Sequence, residues 1–153
     1  VSHRYAPQLA LAYNTGTQNI PEIIDGTFYE MNQTTGMGNS SMLDLAGDKI
    51  TLLGDGWYRI LFWTTVIPFV GGLFAVLTEN PTTGWGSGLI RAVDWEEGSG
   101  FFETRIELEG VYEFSAGDTL QIHLTTLSPD RTVTTVSASS LELNNGLYVE
   151  RLA

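Results

Sequence analysis

The chain has 153 residues and a formal net charge of −11, from 18 acidic and 7 basic side chains, and it contains no cysteine. That length suits one ordinary domain burying roughly 70% of its unfolded surface, while disulfide frameworks and thiolate metal sites are excluded. The basic residues are six Arg and Lys49, placed singly, which leaves neither a cationic track for nucleic acid nor a polybasic patch for a membrane; the acidity reads as solubility and colloidal repulsion.

The opening stretch VSHRYAPQLALAYN carries one Arg and no apolar block before a small-residue cleavage site, so it does not read as a signal peptide. Residues 1–20 are expected to form an N-terminal arm, with the domain proper over 21–153. Strands are expected at 27–31 and 49–53, then over 57–66 (WYRILFWTTV), 73–77 and 87–94. The segment 40–48 is the best candidate for a helix, but it is short and contains Gly47. The apolar run 66–77 is too short to span a bilayer and is broken by Pro68, Gly71 and Gly72, so no membrane anchor is expected.

From 102 to 108, Phe102, Thr104, Ile106 and Leu108 alternate with Glu103, Arg105 and Glu107, the period-two pattern of a strand with one dry and one wet face. This strand is expected in an outer sheet. The pattern repeats over 119–125, with Leu120, Ile122 and Leu124 inward and Gln121, His123 and Thr125 in water. Two further strands are expected at 132–143 and 147–152. Gly, Pro, Asn and Asp mark the reversals at 53–56, 80–81, 98–100, 116–118, 128–130 and 144–146. Short strands at this spacing indicate an all-β, two-sheet antiparallel sandwich.

The strand at 57–66 has two apolar faces. Tyr58, Ile60, Phe62, Thr64 and Val66 form one, and Trp57, Arg59, Leu61, Trp63 and Thr65 the other. A sandwich strand needs only one dry face, so the second must be covered by another subunit, or by the N-terminal arm or the 66–77 segment of the same chain.

Nucleophilic catalysis needs a positioned base, and only His3, in the arm, and His123, on a wet face, are present. In Gly84-Trp85-Gly86-Ser87-Gly88 the serine falls one place late for a nucleophile elbow. Asp94, Glu96 and Glu97 offer oxygen ligands for calcium, but these carboxylates, with Glu103, Glu107 and Glu109, read more simply as a solvated row. Asp118, after Gly117, is expected to brace a turn. No catalytic, cofactor-binding or metal residue is assigned, and the chain is not expected to be an enzyme.

The stretch 55–62 (DGWYRILF) resembles the Gly-x-Tyr strand of the jelly-roll family shared by tumour necrosis factor ligands and the globular heads of complement. The stretch 108–122 (LEGVYEFSAGDTLQI) is similar to that family's Gly-Asp turn and following strand, and 139–143 with 147–152 look like its last core strand and a C-terminal extension. The resemblance implies a jelly roll and a homotrimer with aromatic residues near its axis, here Trp57, Tyr58, Leu61, Trp63 and Phe69. Free-standing heads of this type occur in bacteriophage virions. With no collagen-like stalk in the sequence, the expected role is a decoration or cement protein on the outer capsid surface, bound to the major capsid protein or another virion protein. The alternative is a fibre or tail-tip adhesin head that binds a host glycan or protein through loops bearing Trp85 and Trp95.

Overall fold

A computed structural model describes residues 8–22, 26–38, 40–82, 87–127, 133–139 and 142–153, without the side chains of 35–38 and 40. The strands run in chain order as β1 (Leu9–Tyr13), β2 (Asn19–Ile20), β3 (Thr27–Phe28), β4 (Gln33–Gly38), β5 (Leu43–Asp44) and β6 (Lys49–Thr51). They continue as β7 (Gly56–Val66), β8 (Val70–Glu79), β9 (Leu89–Ser99), β10 (Thr104–Phe114), β11 (Thr119–Leu127), β12 (Val133–Thr134) and β13 (Asn145–Arg151). One sheet has the order β10-β7-β13-β1-β4, the other β5-β6-β11-β8-β9, with β3 also on β11 and a small β12-β2 pair beside them. The pairings within both sheets are antiparallel, and the two sheets form a jelly-roll sandwich.

Alternation explains the core. Ala10, Ala12, Ile60, Phe62, Ile106, Leu108, Leu147 and Val149 project from one sheet and meet Ile50, Leu73, Ala75, Leu77, Leu120, Ile122 and Leu124 from the other. The helix candidate at 40–48 yields only a single 3-10 turn at Ser40–Met42, after which the chain pairs as β5. Asp118 braces its turn as expected: its carboxylate accepts the Ser115 N–H at 2.8 Å beside Gly117, whose φ is 88°.

Five expectations are corrected. The arm does not extend to residue 20, because β1 lies between β13 and β4 and buries Ala10 and Ala12 completely. The strand at 102–108 is not in a sheet apart: β10 pairs with β7 along its whole length, from Thr104↔Val66 to Phe114↔Gly56. The outward face of β11 is dry, with His123 1% and Thr125 0% exposed, because the chain crosses it near Gly26, where a Cβ would fall 1.9 Å from His123 Nε2. Of 132–143 the described residues contribute only the two-residue strand β12. Asn145 and Gly146 are not a turn; they open β13.

Candidate functional site

The outward face of the five-stranded sheet is the best-formed surface feature. Cross-strand register places Leu11, Tyr148, Leu61 and Glu109 in one row across β1, β13, β7 and β10. The next row holds Gly146, Trp63 and Glu107, and on the other side lie Leu9, Glu150, Arg59 and Val111. The face is thus apolar over β1, β13 and β7 and turns acidic along β10. Its charges pair laterally: Arg59 holds Glu109 at 2.6 Å, Arg105 holds Glu107 at 2.6 Å, and the Tyr148 hydroxyl donates to Glu150 at 2.8 Å.

The residues singled out from sequence separate into three groups. Trp57, 47% exposed, and the half-buried Leu61 lie on this face. Trp63 shares the face but is only 8% exposed: its indole N–H donates to the Leu143 carbonyl at 3.0 Å, and Arg105 sits 5.9 Å from its ring. Its cover comes from the segment before β13, described over 133–139 and 142–144, which also bonds β7 through Val136 N–H to the Thr65 carbonyl and accepts the N–H of Ile67, just past β7, at the Thr134 carbonyl. That segment, rather than the arm or 66–77, closes the upper half of the second face. Tyr58 and Phe69 belong to the chain's own core instead, at 0% and 1% exposure. Tyr58 alternates onto the inner face, where burial pushes its phenol pKa up and its hydroxyl donates to the Gly54 carbonyl at 2.6 Å. Trp85 lies outside the described residues, and Trp95 stands on strand β9 rather than on a loop.

No family model matches the chain, and no curated protein matches it in sequence. Solved structures do match it in shape. The chain superposes on the structure of Eiger TNF from S. frugiperda with a TM-score of 0.71, covering 97% of this chain and 94% of that one at 9% identity. It superposes on murine APRIL at pH 5.0 with a TM-score of 0.66, covering 95% of this chain and 99% of that one at 14% identity. The fold is the tumour necrosis factor-like jelly roll. At these identities the likeness is one of architecture.

Within this jelly roll the candidate chemistry is dispersed. His3 is outside the described residues, and His123 is enclosed, with burial holding its pKa below the ordinary value. Asp94, Glu96 and Glu97 are consecutive or alternate residues of β9, so neighbours point to opposite faces and do not converge as a calcium loop would. Among the described residues no three His, Asp or Glu side chains gather as a metal site. Sequence reading missed Leu9, Leu11, Tyr148 and Val111 as members of the outward face. Tyr148 is legible from its alternation with Leu147 and Val149, whereas Leu9 and Leu11 fall in the stretch that reads as an arm.

Proposed function

We propose that this chain is a non-catalytic structural protein that assembles as a homotrimer and decorates the outer surface of a bacteriophage capsid. The observation that carries the assembly is the half-buried pair Tyr148 and Leu61, with half-buried Leu9 and exposed Trp57 nearby, on a sheet face that points away from the chain's core; Leu11, in the same row, is already only 8% exposed within the chain. A second surface adjoins it. Where the sandwich opens between edge strands β9 and β10, a groove of about 400 Å³ is lined by Arg91, Val93, Leu108 and Tyr112 together with the acidic Asp94, Glu107 and Glu109, the last two shared with the outward face. Seating the face of one copy against the edge of the next is a heterologous contact, which closes into a three-membered ring when each step turns by a third of a circle. The resemblance of 55–62 and 108–122 to heads that form trimers supports three members, and the occurrence of such heads in virions supports the capsid setting.

Light scattering on the eluting peak of a size-exclusion column tests the assembly: the chain runs at three times its mass, and Leu61→Glu, which sets a new carboxylate beside Glu109 and Glu150, runs as a monomer with an unchanged circular dichroism spectrum. A wild-type monomer at micromolar concentration refutes the trimer. The capsid role is tested by cosedimentation with capsids lacking the protein, using the full chain and a variant without residues 1–7. Truncation stops there because β1 begins at Leu9. Binding to host cells with none to capsids favours the adhesin.

A further inference from the structure

The other sheet carries a feature that self-assembly leaves unused. On its outward face Gly72 lies between Glu97 on β9 and Leu127 on β11, and one step along Phe74 pairs with Trp95. The Phe74 ring lies over Gly72, and beside it a trench of about 250 Å³ opens, lined by Gly71, Gly72, Phe74, Trp95, Glu97 and Leu127. The rings of Phe74 and Trp95 stand 6.1 Å apart, inclined by 42°, and Trp95 is 53% exposed. We propose that this trench binds a quaternary ammonium group of the choline type, held over the Trp95 and Phe74 rings and beside the Glu97 carboxylate.

The donor inventory selects that class. The trench offers two aromatic faces and one carboxylate, while its only side-chain N–H is the Trp95 indole. A pyranose stacked on Trp95 would find only the Glu97 carboxylate and the indole N–H to orient its hydroxyls, because the β8 backbone is already committed to ladders with β9 and β11. A lysine ammonium would bring three N–H groups to a wall that accepts at one carboxylate. A quaternary ammonium has no N–H to satisfy, presents an apolar skin to Leu127 and the rings, and keeps its charge for cation–π attraction and for Glu97. The net charge of −11 raises the local concentration of any cation. The site lies on the sheet opposite the Leu61 face, and its Trp95 and Glu97 stand on β9, the strand whose Arg91 and Val93 line the edge groove.

The test is a titration of the full-length protein with choline chloride, followed by amide and indole shifts in ¹H–¹⁵N spectra. Saturable millimolar binding is expected, with the shifts centred on Gly72, Trp95 and Glu97. The neutral carbon isostere of choline, with a tert-butyl group in place of trimethylammonium, should bind about fivefold more weakly, the factor one exposed cation–π contact supplies. Trp95→Ala should abolish binding, and Glu97→Gln, a change at an exposed strand position, should weaken it severalfold with the spectrum otherwise intact. Equal affinity for the isostere, stronger binding of a methyl pyranoside, shifts centred elsewhere, or no saturable shift would each overturn the assignment.

Discussion

Asn145 is fully buried and ties three parts of the chain together. Its Oδ1 accepts the Asn14 N–H at 2.7 Å and the Tyr29 hydroxyl, while its Nδ2 donates to the carbonyls of Asn14 at 3.1 Å and Val136 at 3.0 Å. Burial pushes the Tyr29 phenol well above its ordinary pKa, so its proton stays on to donate. Asn145→Ala removes all four bonds. The Asn14 N–H and the Tyr29 hydroxyl then lie dry without this acceptor, at about 1–3 kcal/mol each, whereas the half-buried Val136 carbonyl can turn to water. The expected loss is about 4 kcal/mol, a large part of the stability of a domain this size, and it should lower Tm by about 12 °C. Thermal and urea unfolding of Asn145→Ala, Tyr29→Phe and the double variant measure it. Because Tyr29→Phe removes a donor that Asn145→Ala has already stranded, the double variant should lose at least about 1 kcal/mol less than the sum. A Tm drop below about 3 °C, or strict additivity, would refute the buried network.

Two further outcomes follow from the packing. Burial holds the pKa of His123 below its ordinary value of 6.5, so the unfolded chain takes up a proton that the folded chain resists. Its contribution to stability is complete above about pH 6.5 and is lost as pH falls towards the folded value; Tm measured between pH 7.5 and about pH 5.5 should therefore fall more in the wild type than in His123→Gln, and parallel declines would exclude His123 as the cause. At Gly146 an added Cβ would fall 2.5 Å from Trp63 Cζ2, so Gly146→Ala should swing the indole off β13 and cost about 2 kcal/mol. Red-shifted tryptophan emission alongside the lower Tm is the expected reading, and unchanged emission would refute the displacement of the ring.

The sandwich was legible because its signal is repeated: alternation in 102–108 and 119–125 and the turns at 54, 80 and 117 depend on local backbone rules alone. What was not legible depends on residues far apart in the chain. The motif Asn144-Asn145-Gly146 has turn composition, yet Asn145 is a strand residue because its amide finds Asn14 across the sheet, 131 positions away in sequence. His123 reads as wet from its neighbours and is dry because β3 and the chain at Gly26 cover it. The second face of β7 correctly demanded a cover. Its upper half receives one from 133–139 and 142–144, part of a stretch whose own pattern promises a strand.

Two cross-strand glycines show how similar local patterns diverge in consequence. Gly146 pairs with Trp63 and Gly72 with Glu97, each glycine leaving a gap beside an aromatic residue on a sheet surface. At Gly146 the gap is filled, since the indole lies over the backbone and is fixed by the Leu143 carbonyl and Arg105. At Gly72 the Phe74 ring, 3.3 Å from the missing Cβ position, takes up the gap, while Trp95 beside it leaves half its surface in water. The difference is reach and anchoring: Trp63 lies directly opposite its glycine and has a hydrogen-bond partner beyond it, whereas Trp95 is offset and faces a carboxylate across open space. A ring locked by its own chain contributes to packing. A ring left half-exposed beside a charge keeps a face for a ligand, which is why the trench, rather than the Trp63 site, is the place to look for one.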